Sequence, residues 1–228
     1  MIWLGIDTSH TPLAVAVMKD EQVLAEYKSG MKITHSIGTM PAIEELLKKA
    51  GVQANEIDAI AVAKGPGSYT GVRIGVTIGK TLAWTLNIPI MSVSSLEVLA
   101  GNAPFFNGVV CSIMDARRGN VFAGIYMNGE TVKESHMSLE DLLETLDEMG
   151  QPVLFVGMDV SIHWEQIKEV LGDKVQYATA ALSLPSAAVL IELAKKQEAT
   201  EVHATVPEYL RVTEAEANWM KEQKKNGK

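Results

Sequence analysis

Short apolar runs and longer amphipathic runs alternate along the chain in two similar series. Apolar runs of this length are typical of buried strands, and apolar positions three and four apart are typical of helices. The first half predicts strands over 2–6, 13–18, 23–27, 57–63 and 90–93, and helices over 34–50 and 70–86. The second half predicts strands over 109–114, 121–127, 131–137 and 153–156, and helices over 138–149, 162–171 and 186–196. Pro41 is expected to bend or divide the first helix.

Both series start with a strand that ends at an aspartate, Asp7 or Asp115, and continue with hairpin strands, a helix, a strand and a helix. This repeated order predicts an α/β fold of two ribonuclease-H-like lobes of the actin, hexokinase and Hsp70 clan, with mixed sheets flanked by helices. We expect one lobe over 1–103 and a second, reduced lobe over 104–212. Residues 213–228 are predicted to form a charged, helical tail.

The charge of the chain is negative and uneven. The 228 residues carry a net charge of −8, of which residues 1–105 contribute −1 (8 basic, 9 acidic) and residues 106–228 contribute −7 (12 basic, 19 acidic). A protein that grips nucleic acid alone normally has the opposite sign. If RNA is involved, we therefore expect a partner to supply most of the basic surface.

Three further features narrow the class of protein. The single cysteine, Cys111, lies in a strand-like apolar run and is expected to be buried and inert. No apolar run approaches the ~18 residues that a membrane span needs. Asp7 comes too early for the apolar core of a signal peptide. These features lead us to expect a cytoplasmic protein.

A glycine-rich segment from Gly65 to Gly79 is the most specific feature of the sequence. Gly65-Pro66-Gly67 predicts a turn, and Ser68 is a suitable N-cap for the helix that follows. Within that helix, Gly71, Gly75 and Gly79 recur every four residues and form a stripe almost without side chains. Each interior glycine costs about 1 kcal/mol relative to alanine, so we expect another backbone to approach closely there. The spacing leaves open whether that neighbour is the protein's own sheet or a partner's helix.

Catalytic signatures are missing from the sequence. The five histidines show no i, i+3 or i+4 pair, and neither H-E-x-x-H, G-x-S-x-G nor a P-loop is present. Asp7, Thr8 and Asp115 lie at strand ends where a vestigial nucleotide cleft could form, although no glycine follows closely behind Asp7. The alternative is that these aspartates cap local amides. We expect no metal and no cofactor, with weak nucleotide binding left open.

Four motifs, taken together, resemble the bacterial TsaB family. They are Ile6-Asp7-Thr8-Ser9, the Gly65–Gly75 segment, Asp115-Ala116-Arg117 and Pro207-Glu208-Tyr209-Leu210-Arg211, and they span nearly the whole chain. The resemblance implies a non-catalytic subunit required to make threonylcarbamoyladenosine beside the tRNA anticodon. It also implies two partners, the catalytic paralogue TsaD and the ATPase TsaE, with tRNA reached through the complex. In the catalytic paralogue a metal-binding His-x-x-x-His follows the glycine-rich helix. The matching positions here hold Ser95 and Leu99, which are poor metal ligands.

The resemblance places the partner interface on the helices predicted over 34–50 and 70–86. The residues expected there are His35, Ile37, Met40, Ile43, Leu47, Gly71, Arg73, Gly75, Ile78, Gly79 and Leu82. Without TsaD, the same patch is expected to form a homodimer. The substitution Gly75→Leu should then block pairing and leave the fold intact. Arg117, Arg118 and Arg211 are candidate contacts to tRNA or TsaE, with solvated loop charges as the alternative.

Two other functions remain compatible with the predicted architecture. One is an ATP-binding kinase or ATPase of the actin and hexokinase clan, which tight binding and turnover of MgATP would support. The other is a metallopeptidase, which stoichiometric zinc or iron would support. Fold alone does not separate these functions, because this clan hosts many activities.

Overall fold

The computed structural model describes residues 1–31 and 34–210, and its first half forms a five-stranded sheet. The strands are β1 (Ile2–Asp7), β2 (Leu13–Lys19), β3 (Gln22–Ser29), β4 (Ala59–Ala63) and β5 (Ile90–Val93), in the order β3-β2-β1-β4-β5. β1 pairs antiparallel with β2 and parallel with β4. Two helices, α1 (His35–Ala50) and α2 (Tyr69–Leu86), pack side by side on one face of this sheet.

A second five-stranded sheet repeats this arrangement. Its strands are β6 (Val109–Asp115), β7 (Asn120–Met127), β8 (Glu130–Ser138), β9 (Val153–Val156) and β10 (Val175–Tyr177), in the order β10-β9-β6-β7-β8. β6 pairs antiparallel with β7 and parallel with β9, as β1 does with β2 and β4. Helices α4 (Leu139–Met149) and α5 (Val160–Leu171) cover one face. The matching strand orders confirm the predicted fold of two duplicated α/β units.

Most predicted elements are confirmed within one or two residues. Ser68 caps α2, because its Oγ accepts a hydrogen bond from the Gly71 amide at 3.3 Å. Asn128 and Gly129 have φ angles of 55° and 79°, as expected for a tight hairpin turn between β7 and β8. Of the two effects expected of Pro41, bending or division of the first helix, division does not occur, since α1 runs unbroken from His35 to Ala50.

The chain crosses between the two sheets more often than the predicted boundaries allow. Helix α3 (Ser95–Ala100), which the apolar pattern did not predict, contributes Leu96 and Leu99 to the core above the second sheet. Helix α6 (Ala187–Ala194) packs on the first sheet, on the face opposite α1 and α2. The predicted boundaries of 1–103 and 104–212 are therefore corrected at both of these helices. The predicted tail over 213–228 lies outside the described residues.

The glycine stripe of α2 packs against the protein's own first sheet. A Cβ atom at Gly71 or Gly75 would come closer than 3.0 Å to Thr8, and one at Gly79 would come equally close to Val62. All three glycines are buried, so the stripe lets α2 lie directly on the end of β1 and on β4. Of the two neighbours that the sequence left open, the structure shows the intramolecular one.

Candidate functional site

The outer side of α1 and α2 forms a surface with several exposed apolar side chains. Ile37 is 74% exposed, Met40 47% and Trp84 67%. We call this region, with the exposed Arg73, the helix surface. Trp84 is not among the predicted interface residues. Its position on the side of α2 away from the glycine stripe is the sequence signal that could have identified it.

Several residues predicted for the interface lie elsewhere. Ile43 is 3% exposed and belongs to the core beneath α1, because it points toward the sheet. Gly71, Gly75 and Gly79 face the sheet as well, for the steric reason given above. These four assignments are therefore corrected. Three other predicted residues, Leu47, Ile78 and Leu82, are half-buried at the edge of the same core.

His35 connects the start of α1 to the loop between β1 and β2. Its Nε2 atom lies 2.8 Å from the backbone oxygen of His10. Its Nδ1 atom is buried without a hydrogen-bond partner among the described residues. The imidazole is thus held mainly inside the protein, at the base of the helix surface.

A cleft of about 590 Å³ opens between the two sheets. Its walls come from residues 66–69 before and at the start of α2, residues 114–117 at the end of β6, and residues 208–210, with His10 and Phe122. Asp115 and Arg117, both singled out from the sequence, line this cleft. The sequence did not single out Tyr69 or Phe122 as site residues, because isolated aromatic side chains carry no motif.

The segment before the end of the described chain closes one side of the cleft. The Glu208 amide donates to the Lys64 carbonyl at 2.7 Å, and the Lys64 ammonium lies 2.7 Å from the Glu208 carboxylate. Arg73 donates from Nε to the Tyr209 hydroxyl at 2.7 Å, while its guanidinium lies 3.8 Å from the centre of the Tyr69 ring. Two of the motifs noted in the sequence therefore meet in space and brace each other.

Asp7 and Thr8 do not reach the cleft. Asp7 is 1% exposed, its Oδ1 accepts a hydrogen bond from the Ser9 amide at 2.8 Å, and burial raises the pKa of its carboxyl group. Thr8 donates to the Gly71 carbonyl at 2.7 Å, and the Ser68 amide donates to the Ser9 carbonyl at 2.6 Å. The start of α2 thus covers this turn. The predicted nucleotide cleft is corrected at Asp7 and Thr8, and the alternative that Asp7 caps a local amide is confirmed.

A chain of hydrogen bonds joins the two halves at the floor of the cleft. His10 in the first half lies 2.8 Å, through Nε2, from Oδ2 of Asp159 in the second. The same Asp159 oxygen accepts from the Asp115 amide at 2.8 Å, and Asp115 Oδ1 lies 3.1 Å from His163 Nε2. Burial tends to raise the pKa of Asp159, but the hydrogen bond and charge of His10 outweigh it and hold that pKa below its usual value.

The turn between β6 and β7 has an unusual backbone. Arg117, Arg118 and Gly119 have successive φ angles of 66°, 55° and 73°, a conformation that costs a residue with a side chain about 1–2 kcal/mol. Asn120 stabilises it by donating its amide to the Arg117 carbonyl and its side chain to the Arg118 carbonyl. The turn holds Arg117 at the mouth of the cleft. The third predicted arginine, Arg211, lies outside the described residues.

The positions that match the paralogue's metal ligands serve packing. Ser95 Oγ accepts a hydrogen bond from the Gly65 amide at 3.2 Å, and Leu99 lies in the core with Met114. Within the described ranges, no three His, Cys, Asp or Glu side chains are placed to hold a metal ion together. No helix in the described part of the chain has the length and apolar character to cross a membrane.

Comparisons with known proteins find relatives named for the tRNA threonylcarbamoyladenosine modification. A family model described as "TsaD: tRNA N6-adenosine threonylcarbamoyltransferase" matches residues 22–219. The tRNA threonylcarbamoyladenosine biosynthesis protein TsaB of Bacillus subtilis is 48% identical over 98% of this chain and 100% of its own length. Among solved structures, YeaZ from Pseudomonas aeruginosa superposes with a TM-score of 0.76 at 27% identity, covering 92% of this chain and 99% of YeaZ.

A more distant structure shows the fold alone. The ethanolamine utilization protein EutJ from Carboxydothermus hydrogenoformans has a TM-score of 0.51 at 15% identity, over 84% of this chain and 89% of EutJ. At that identity it shows a shared architecture and carries no information about activity.

Proposed function

The chain belongs to the TsaB family of tRNA threonylcarbamoyladenosine biosynthesis proteins, and we propose that it acts there as a non-catalytic subunit that binds and supports a TsaD-type paralogue. The full-length match to the Bacillus subtilis TsaB carries this proposal. A TsaE-type ATPase is the third member, and tRNA is reached through the assembled complex.

The helix surface supports the docking of a TsaD-type partner. It presents Ile37, Met40 and Trp84 to solvent on two adjacent helices, where covering apolar area contributes about 25 cal/mol per Å². Aromatic and arginine side chains are over-represented among the residues that dominate binding energy, and α2 exposes both Trp84 and Arg73. The same surface gives a homodimer when the partner is absent.

The side chains at the positions where a catalytic relative would hold metal or nucleotide support the non-catalytic role. Ser95 and Leu99 stand where the resemblance implies the paralogue's metal ligands, and both are engaged in packing. Asp7 is covered by the start of α2 rather than facing the cleft. We propose that tRNA or the ATPase is contacted by Arg117 and Arg118, which lie on the left-handed turn between β6 and β7.

A binding experiment with a matched control tests the partnership. The full-length chain is titrated with the TsaD-type protein of the same genome by calorimetry, and Ile37→Glu/Met40→Glu is compared with Val132→Glu. Val132 is 53% exposed on β8, away from the helix surface. We expect the double variant to weaken binding at least 100-fold at unchanged thermal stability, and Val132→Glu to bind normally.

Three outcomes have distinct meanings. Normal binding by the double variant would contradict the proposed surface, and no binding by the unmodified chain would contradict the partnership. A deletion strain that keeps normal threonylcarbamoyladenosine in its tRNA, measured by mass spectrometry of nucleosides, would contradict the functional role itself.

A further inference from the structure

Residues 201–210, which we call the strap, run along one side of α2 in the opposite direction. At one end of the strap the Lys80 ammonium donates to the His203 carbonyl at 3.0 Å. At the other end Tyr209 stacks on Tyr69, with the ring centres 5.1 Å apart. Between these ends Thr205 is 2% exposed. The strap is therefore packed against the rest of the protein at both ends and in its middle.

The strap and the start of α2 bring together three side chains that we call the arginine cluster: Tyr69, Arg73 and Tyr209. The two tyrosines are 47% and 40% exposed, and Arg73 is exposed as well. Arg73 donates from Nε to the Tyr209 hydroxyl at 2.7 Å, and its guanidinium lies 3.8 Å from the centre of the Tyr69 ring. These two contacts hold the guanidinium in one position at the surface of the protein.

The binding capacity of Arg73 is only partly used by these contacts. A guanidinium has five N–H donors, and Tyr209 accepts from the one on Nε. Within residues 1–31 and 34–210, no carboxylate lies at ion-pair distance from Arg73. Arginine binds a carboxylate strongly through two parallel hydrogen bonds. Because this side chain is already held in place, such binding costs less conformational entropy.

The charge around the arginine cluster differs from that of the whole chain. The 228 residues carry a net charge of −8, but α2 contains Arg73 and Lys80 and no acidic residue. Glu208, the neighbour of Tyr209 in the strap, is paired with Lys64 at 2.7 Å. Helix α2 therefore presents positive charge on an acidic protein, which is complementary to an acidic group on a partner.

We propose that Arg73 binds an aspartate or glutamate side chain of the TsaD-type partner, and that Tyr209 is a positioning residue that holds Arg73 for this contact. The inference rests on the partnership proposed above and adds to it a charged contact of defined chemistry. Arg73 and Trp84 are 11 positions apart on α2, about 16 Å along the helix axis. A partner that contacts both side chains covers about three turns of α2.

Calorimetric titration of the full-length chain with the TsaD-type protein of the same genome tests the role of Arg73. Arg73→Gln should weaken binding at least 10-fold. Arg73→Lys, which keeps the charge but loses the paired hydrogen bonds, should recover only part of that loss. Added NaCl should weaken binding of the unmodified chain more steeply than binding of Arg73→Gln. Lys133→Gln, which removes an exposed charge from β8, is the control and should bind normally.

Tyr209→Phe separates positioning from direct contact. This variant keeps the ring and loses the hydroxyl that accepts from Arg73. It should weaken partner binding about 3-fold in the unmodified chain and have no further effect in Arg73→Gln. An equal effect in both backgrounds would show that Tyr209 contacts the partner itself and would overturn the positioning role. Thermal melting of each variant checks that the fold is retained.

Variants of the partner identify the carboxylate. Its exposed aspartates and glutamates are changed singly to asparagine and glutamine. One of these variants should lose as much affinity as Arg73→Gln, with little further loss when the two are combined. If none does so, the carboxylate contact is refuted.

The remaining outcomes separate this inference from the partnership on which it rests. Normal partner binding by Arg73→Gln, together with loss of binding by Ile37→Glu/Met40→Glu, would overturn the inference and keep the partnership. No binding by the unmodified chain would overturn both. If Arg73→Gln dissociates a homodimer, measured by sedimentation, and leaves partner binding unchanged, the arginine cluster serves a second copy of the chain and the proposal is overturned.

Discussion

The substitution Gly75→Ala tests the packing of α2 most directly. A Cβ atom at this position would come closer than 3.0 Å to Thr8 Oγ1, which lies in the buried turn after β1. Thr8 Oγ1 donates to the Gly71 carbonyl at 2.7 Å, so moving it aside breaks that hydrogen bond. The added methyl group therefore acts on both packing and hydrogen bonding.

The expected loss of stability can be worked out from these contacts. Overpacking costs about 1–3 kcal/mol, and the buried Thr8 hydroxyl left without its acceptor costs about 1–3 kcal/mol. Alanine stabilises a helix by about 1 kcal/mol relative to glycine, which offsets part of this loss. The free energy of unfolding should fall by about 3 kcal/mol, which lowers Tm by about 6–12 °C for a chain of this size.

A double-mutant cycle identifies Thr8 as the cause. With Thr8→Ala the hydroxyl is gone, and the remaining atoms near a Cβ at Gly75 are Thr8 Cβ at 3.6 Å and the Thr8 amide nitrogen at 3.8 Å, which are ordinary contacts. In that background Gly75→Ala should be neutral or slightly stabilising, giving a coupling energy of about 3 kcal/mol. Thr77→Ala, on the exposed side of α2, is the control and should not destabilise.

Urea denaturation followed by circular dichroism measures the four proteins of the cycle and the Thr77→Ala control. If Gly75→Ala has the same effect with and without Thr8, the packing explanation is refuted. The result also bears on the sequence-based expectation that Gly75→Leu leaves the fold intact. That expectation is wrong, because the space that a larger side chain would need is occupied by Thr8.

Three further predictions concern stability. Ile43→Ala, in the core, should lower the unfolding free energy by about 2–5 kcal/mol, whereas Ile37→Ala on the exposed helix surface should change it by less than about 0.5 kcal/mol, both measured in urea. Burial raises the pKa of Asp7 above its unfolded value of 3.8, so in the pH range between the two values the folded state holds a proton that the unfolded state has lost. The free energy of unfolding should therefore fall as pH rises through this range. Denaturation of Asp7→Asn at several pH values should lack this decrease, and retention of the full decrease would contradict the assignment. Ser68→Ala should cost about 1 kcal/mol through loss of the cap to the Gly71 amide, and unchanged stability would show that the cap contributes nothing.

Local patterns in the sequence predicted the strands and long helices well, because alternating burial and helical periodicity are properties of neighbouring residues. They missed α3 (Ser95–Ala100) and β10 (Val175–Tyr177), whose six and three residues are too short to show a period. For α3 a signal was present, since Ser94 caps the helix and Glu97 follows three residues later. The pattern predicted that Gly75 permits a close approach, but the neighbour, Thr8, is distant in sequence.

The candidate site was harder to predict than the fold, because its parts come from distant segments. Asp115 and Arg117 were identified from their positions after a strand. The cleft that they line also depends on Tyr69 and Tyr209, which are brought together by the docking of residues 207–210 on the turn before α2. Asp7, like Asp115, lies at the end of a strand, but its side chain is buried and does not reach the cleft. Only the tertiary packing of α2 distinguishes the two.

The return of α6 to the first sheet has a consequence for synthesis on the ribosome. One face of that sheet is covered by α6, whose side chains at Ala187, Leu190, Ile191 and Ala194 are all fully buried. These residues are translated roughly 100 positions after β5, a delay of about 5–20 s at ordinary elongation rates. The first sheet therefore emerges early but gains this covering helix late. Until α6 packs on it, that apolar face is exposed and prone to aggregation.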